Sequence, residues 1–368
     1  MTASITEKTK HAYSRVAEQA SSSLLRQPQR SMADELHLLA YEVEQNEKRD
    51  VYGSGALIND FEGEVAKLLG KPAALFLPTG TLAQPLALRI HADQRQRNGV
   101  ALHPTSHLML HEQMGFEALW GLNGTTTGEA GNPITSEDLK NVQTADLGSV
   151  LLELPMREIG GQLPNWDDLV SQSEWARAND IAMHLDGARL WQVPTAYDCS
   201  LAEVCELFDS VYVSFYKDLG AISGAVLAGS EAFIEQAKVW ARRAGGNVIT
   251  QYPQIISARR GLRENLPLMD DAVNYSRALG DALNELDGIR VNPEKPQTAM
   301  FHLHFAINAE DLSQKVIDYV SNTGVVILPL PRAELNGEAI CEIPIGRNAM
   351  SQPHSFWLRH FKAFIETL

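Results

Sequence analysis

Lys217 directly follows "SVYVSF" (210–215), an apolar, β-rich run within "FDSVYVSFYKDLGAISGAVLAGS" (208–230). A lysine ammonium placed at the end of a buried strand is costly to desolvate and escapes by shifting its pKa toward the neutral amine, a nucleophile for carbonyl carbons. Asp186 closes a second such run, "IAMHLD" (181–186), and Gly187 turns the chain after it. A third segment, "LFLPTGTLAQ" (75–84), passes from an apolar run through Thr79-Gly80-Thr81 into a helical pattern. There, free backbone N–H groups and the helix dipole can hold an anion. Each feature alone has a plainer use: an N-cap, a carboxylate capping the next helix, a lysine snorkelling to the sheet edge. Taken together, an anion cradle, a strand-end carboxylate and a strand-end amine suit a cofactor with a phosphate, a pyridine nitrogen and an aldehyde. That cofactor is pyridoxal phosphate.

The elements needed to position these groups can be read between residues 70 and 230. Short apolar runs recur at 73–78, 100–104, 117–122, 149–155, 181–186, 210–215 and 224–229, separated by segments of helical spacing such as "NWDDLVSQSEWARAND". Strands alternating with helices predict a mostly parallel sheet of about seven strands covered by helices on both faces. Such a sheet places its ligand beyond the carboxyl ends of the strands, where all three segments deliver their polar residues.

With those residues in view, the chain resembles the threonine aldolase and β-eliminating lyase family of fold-type I pyridoxal-phosphate enzymes. The likeness is carried by "DVYGSG" and "NDFEGEVAKLLGKPAALFLPTGTLAQPLALRIH" (within 50–91), "HLMLHEQMGFEALWG" (107–121), "MHLDGARLW" (183–191) and "FDSVYVSFYKDLGAISGAVLAGSEAFI" (208–234). It covers residues from about 50 to 262. The resemblance implies an aspartate-aminotransferase-like α/β large domain over 51–262, with 1–50 and 263–368 forming a smaller α+β domain. A helix is expected to continue across the boundary near 261–271. The smaller domain holds the β-rich runs "GIRVNP", "AMFHLHF", "GVVILPL" and "ICEIPIG". The resemblance further implies a homodimer or homotetramer.

It also implies roles. Lys217 forms a Schiff base with the cofactor and, once freed, moves a proton. Asp186 pairs with the pyridine nitrogen. Gly80, Thr81 and Ser214 hold the phosphate. His107 stacks over the ring and can take the substrate's β-hydroxyl proton. Arg189 contacts the cofactor or the substrate carboxylate, and Tyr52 and Gly53 lie on a loop brought toward the pocket.

Departures from the family pattern fall on the substrate side. The family's N-terminal Ser-Asp-Thr is absent from "SSSLLRQPQRSMADEL" (21–36), and "ELPMREIGGQLP" (153–164) replaces its Glu-Asn-Thr-His, so a second histidine is missing and Met156 or Arg157 stands nearby. Ile249 occupies the position of a phosphate-binding arginine, and Glu342 that of the carboxylate-binding arginine, with Arg347 close but out of register. Arg189 is therefore expected to bind the substrate α-carboxylate, and Arg157 a second polar group of a substrate larger than threonine.

Composition closes off other classes. A formal charge of −15 and a pI near 5.2 disfavour nucleic acid as a partner. Three cysteines, Cys199, Cys205 and Cys341, show neither a disulfide framework nor metal-ligand spacing and read as small core residues, and no metal is expected. No run approaches the roughly 18 apolar residues needed to span a bilayer, and the polar N-terminus lacks the apolar block of a signal peptide. A cytoplasmic enzyme is expected, cleaving a threonine-like β-hydroxy-α-amino acid to glycine and an aldehyde. β-Elimination or transamination on the same cofactor, and a non-catalytic fold relative, are the alternatives.

Overall fold

The computed structural model describes residues 3, 5–28 and 30–368, and these divide into two compact units. The larger comprises 30–158 and 163–267, the smaller the residues up to 29 together with 159–162 and 268–368.

The larger unit is built on seven strands: β1 (Ala73–Leu77), β2 (Gly99–Leu102), β3 (Asn123–Thr126), β4 (Leu147–Glu153), β5 (Ala182–Gly187), β6 (Ser210–Ser214) and β7 (Ala225–Gly229). They lie in the order β1-β7-β6-β5-β4-β2-β3. Only β7 runs against its neighbours; the other pairings are parallel. Near-continuous burial along β4, β5 and β6 is what a parallel sheet covered on both faces requires. Six strands fall on the apolar runs read from sequence. The seventh does not: the run at 117–122 becomes a short helix, Gly115–Ala118, and a turn with Gly121 at φ +62°, while the edge strand is the polar "NGTT" beyond it. The run misleads because Phe116 and Leu122 pack into a core cluster with Leu102 and Leu151 from helix and turn, not from a strand.

Helix α1 (Gly80–Arg95) crosses the sheet with Leu86, Ala87 and Ile90 packed on Leu75, Leu77, Tyr212 and Leu227. Its docking is fixed by a buried polar bridge: Ser210 Oγ lies 2.7 Å from His91 Nε2 on α1 and 2.8 Å from His184 Nδ1 on β5. Burial pushes both imidazoles down to about 3, so they remain neutral and the core carries no charge there. Residues 30–50 are tied to the helix Tyr252–Asn265 by ion pairs, Arg259 with Glu47 at 2.7 Å, Arg260 with Glu35, and Arg263 with Glu42 at 2.6 Å. After Asn265 the chain does not continue as one helix. A 3₁₀ turn at Leu266–Leu268, containing Pro267, separates it from the helix Met269–Leu283, because proline supplies no N–H to the ladder.

In the smaller unit, β8 (Arg290–Asn292), β9 (Met300–Phe305), β10 (Ala333–Leu335) and β11 (Glu338–Pro344) form an antiparallel sheet ordered β10-β11-β9-β8. Its core gathers Phe301, Leu303, Phe305, Val316, Trp357, Phe361 and Phe364. The run "GVVILPL" contributes only Val325–Val326, which pair with Ser22–Ser23. Cys205 and Cys341 are buried, Cys199 is half-buried, and all three are free.

Candidate active site

Strand register assembles the centre of the site. In the parallel trio β4, β5 and β6, Glu153 is opposite Asp186, and Asp186 is opposite Tyr212. Register partners on adjacent strands share a face, so two carboxylates and a phenol stand in a row at the carboxyl edge of the sheet. Lys217 follows β6 in the same unit.

Asp186 is buried and held from two sides. Gln84 Nε2, on α1, donates to Oδ2 at 2.8 Å, and the Ala188 N–H donates to Oδ1 at 3.1 Å. A carboxylate has about four acceptor sites, so room remains for the N–H of a protonated ring. Gln84, a lone polar residue in a helical stretch, gave no sequence signal for this role.

Burial, and then the charge of Arg189, pull the Lys217 ammonium down to about 8, against the opposing charges of Asp186 and Glu153. A fraction of the lysine is thus a free amine near neutral pH, the form that attacks an aldehyde. In the other direction, burial and the charge of Asp186 push the Glu153 carboxyl up to about 7. The Arg157 N–H donates to Glu153 Oε1 at 3.0 Å. Glu153 is a second residue that the sequence concealed, because it ends an otherwise apolar run.

The anion cradle is the N-terminus of α1. Thr79 caps it, accepting from Leu82 N–H at 3.2 Å through Oγ1, and its carbonyl takes the Ala83 N–H. The N–H groups of Gly80 and Thr81 have no acceptor among the described residues and belong to the first turn, at the positive end of the dipole. Gly80 must be glycine, since a Cβ there would strike the Tyr212 hydroxyl. Ser214 is placed differently: its buried hydroxyl donates to the Ala188 carbonyl at 2.8 Å, and its own carbonyl accepts from Trp191 Nε1.

On the opposite side, His107 starts helix α2 (His107–Leu110), and its Nδ1 lies 3.0 Å from Oε1 of the buried Glu112. The charge of Glu112 reaches Tyr212 and Tyr216, whose hydroxyls interact and whose pKa values are raised, chiefly by burial. Lys217 Nζ lies 5.6 Å from the Tyr216 ring centroid. His111 stands beside His107, ring centroids 5.2 Å apart, with its Nε2 2.9 Å from Glu158 Oε1. Glu158 follows Arg157, whose N–H donates to Glu153, so these contacts form a chain from His107 to Glu153. The charges of Asp186, Glu153, Arg189 and Arg157 all reach Lys217, and Gly80 lies against the Tyr212 hydroxyl.

Tyr52 lies on a loop of the larger unit and donates its N–H to the Ile249 carbonyl at 3.0 Å; both side chains are exposed. Asp50 clamps that loop by accepting from Gln251 N–H and Thr250 Oγ1. In the smaller unit Glu342 faces Arg332, Oε2 to Nε 3.6 Å. Among the described residues no cluster of His, Cys, Asp and Glu has metal-binding geometry, and no helix is long and apolar enough to cross a membrane.

The donor set fits pyridoxal phosphate group by group: two amide N–H groups for the phosphate, a fixed carboxylate for the ring nitrogen, and an amine of lowered pKa for the aldehyde. Sheet order and site together define a fold-type I pyridoxal-phosphate enzyme. The chain belongs to the Beta-eliminating lyase family, which matches residues 27–306. It is similar to the low specificity L-threonine aldolase of Escherichia coli K12, 30% identical over 314 residues, covering 84% of this chain and 90% of that one. A crystal structure from Listeria monocytogenes EGD-E, provisionally named an L-allo-threonine aldolase, superimposes with a TM-score of 0.92 at 36% identity over 98% of this chain and 99% of that one. A second, from Exiguobacterium sp. 255-15 and provisionally named an aromatic amino acid β-eliminating lyase/threonine aldolase, gives 0.92 at 35% identity over 97% and 100%.

Proposed function

We propose that this protein is a pyridoxal-phosphate-dependent aldolase that splits the Cα–Cβ bond of a threonine-like β-hydroxy-α-amino acid, releasing glycine and an aldehyde. The observation that carries this reading is a lysine whose pKa is drawn to about 8, within reach of the charge of a carboxylate fixed on two sides at the carboxyl edge of the sheet. When bound, the cofactor supplies an electron sink for the pair left on Cα. The chain supplies everything else. Lys217 would hold the cofactor's aldehyde, and its amine would move a proton at the substrate Cα. Asp186, oriented by Gln84 and Ala188, keeps the ring nitrogen protonated. Gly80 and Thr81 would donate to the phosphate, Ser214 supports that corner through Ala188, and His107 would stack on the ring.

Arg189 clamps the substrate α-carboxylate, which fixes which bond stands perpendicular to the ring, and Arg157 reads a second polar group on a larger substrate. Residues 51–262 act as the cofactor domain, and 1–50 with 263–368 as the smaller one. Exposed Tyr52 and Ile249 on neighbouring loops and Tyr252 at the start of the following helix support self-association into a homodimer or homotetramer through that face, with Tyr52 contributed toward substrate. The cytoplasm, where free cysteines persist, is the expected compartment.

A panel of amino acids assayed in parallel for aldehyde, pyruvate and keto-acid release tests the reading. Aldehyde with equimolar glycine from a β-hydroxy amino acid is expected. Pyruvate or a keto acid as the main product would replace cleavage with elimination or transamination.

A further inference from the structure

We infer that His111, oriented by Glu158, is the base that takes the substrate's β-hydroxyl proton; this rests on the aldolase reading above. Cleavage of the Cα–Cβ bond needs such a base. As the O–H proton leaves, the oxygen forms the carbonyl of the departing aldehyde, and the electron pair of the broken bond stays on the glycine fragment, for which the cofactor, when bound, would supply the electron sink. Uptake of a proton at Cα then completes glycine.

Two imidazoles stand side by side, ring centroids 5.2 Å apart, and their geometry divides the work. His107 is committed: its Nδ1 meets Glu112, and as the residue that would stack on the cofactor ring it would turn its π-face, not an in-plane lone pair, toward that ring. His111 comes from the C-terminal end of α2, one helical turn further on, and its ring is tilted 48° from that of His107. Glu158 accepts from its Nε2 at 2.9 Å, which fixes the tautomer and leaves the Nδ1 lone pair as proton acceptor. An imidazole held by a carboxylate on one nitrogen and open on the other is the arrangement of a general base.

The titratable groups in contact with His111 are Glu158, from the turn after β4, and His107, itself bonded to Glu112. Glu158 sits in the replaced segment "ELPMREIGG", so the stretch that lacks a histidine of its own instead supplies the carboxylate that positions one from another element. The side chains of His111 and Glu158 are 33% and 16% exposed, accessible enough for His111 to meet a ligand.

The test compares two reactions of the holoenzyme: aldehyde release from threonine or β-phenylserine, and exchange of the glycine α-proton with D2O followed by NMR. Only the first requires a base at the β-hydroxyl. In His111→Phe, which keeps an aromatic ring against His107, kcat for aldehyde release should fall about 10²- to 10⁴-fold, with KM and glycine exchange within about threefold. Glu158→Gln, at the pocket rim, should lower kcat about tenfold and leave KM and exchange unchanged, as for other groups that orient a reacting imidazole. Cleavage within threefold of wild type in His111→Phe would overturn the assignment while leaving the aldolase reading intact. Parallel loss of cleavage and exchange would overturn it in favour of a structural role. A wild-type enzyme that exchanges glycine but cleaves no β-hydroxy amino acid would overturn the aldolase reading and this assignment together.

Discussion

Glu153 and Asp186 face each other across adjacent parallel strands, so two carboxylates occupy one edge of the sheet beside a single lysine. Like charges this close cannot both ionise freely, and Glu153 is the one that yields, its pKa raised from 4.5 to about 7.

Stability follows from that shift. An unfolded chain releases the Glu153 proton near its ordinary value of 4.5, while the folded chain keeps it to about 7. Between those values the native state binds more protons, so stability falls as pH rises through the window. The cofactor-free Glu153→Gln variant should therefore melt above wild type at pH 8, with the difference vanishing toward pH 4.5. Thermal melts across that range check it; a variant less stable than wild type at pH 8 contradicts the assignment.

Cofactor loading should depend on pH through Lys217. The amine is the attacking form, so the rate of uptake, followed by absorbance, should rise with pH and flatten above about 8. Arg189 contributes to lowering this pKa. Arg189→Gln should move the curve to higher pH, and an unmoved curve would separate Arg189 from Lys217.

Gly80→Ala should disrupt the phosphate corner, because the added Cβ meets the Tyr212 hydroxyl. We expect at least about a tenfold loss in affinity for pyridoxal phosphate, equivalent to about 1.4 kcal/mol. Pyridoxal, which lacks the phosphate, should lose much less. Equal weakening of both ligands in equilibrium titrations would argue against a phosphate cradle there.

Asp186→Asn should fold and bind cofactor yet lose turnover, since an amide cannot hold the ring nitrogen protonated with a charge-assisted bond. Removing a buried charged partner costs about 2–5 kcal/mol, roughly 30- to several-thousand-fold in catalytic efficiency. Near-normal turnover in a cofactor-loaded variant would remove Asp186 from its role.

Lys217, Asp186 and the Thr79-Gly80-Thr81 turn were legible in the sequence because each is a polar break at the end of an apolar run, a one-dimensional signal. Six of the seven large-sheet strands were legible for the same reason. The edge strand Asn123–Thr126 was not, since a solvent-facing edge needs no apolar residues. Gln84 is separated from Asp186 by 102 residues and His111 from Glu158 by 47, and only strand register and helix docking bring them together. Glu153 was hidden inside the run "SVLLELP", its partner visible only across the sheet. The helix expected to run unbroken through 261–271 was interrupted by Pro267, a breaker that the sequence displayed and the helical pattern on either side overrode.

Borohydride reduction of the cofactor-loaded protein, followed by peptide mapping, tests the central claim most directly. The account predicts a single pyridoxyl group on Lys217, the lysine after β6 with its pKa drawn to about 8. A label on any other lysine, or none in a sample whose absorbance shows bound cofactor, would contradict it.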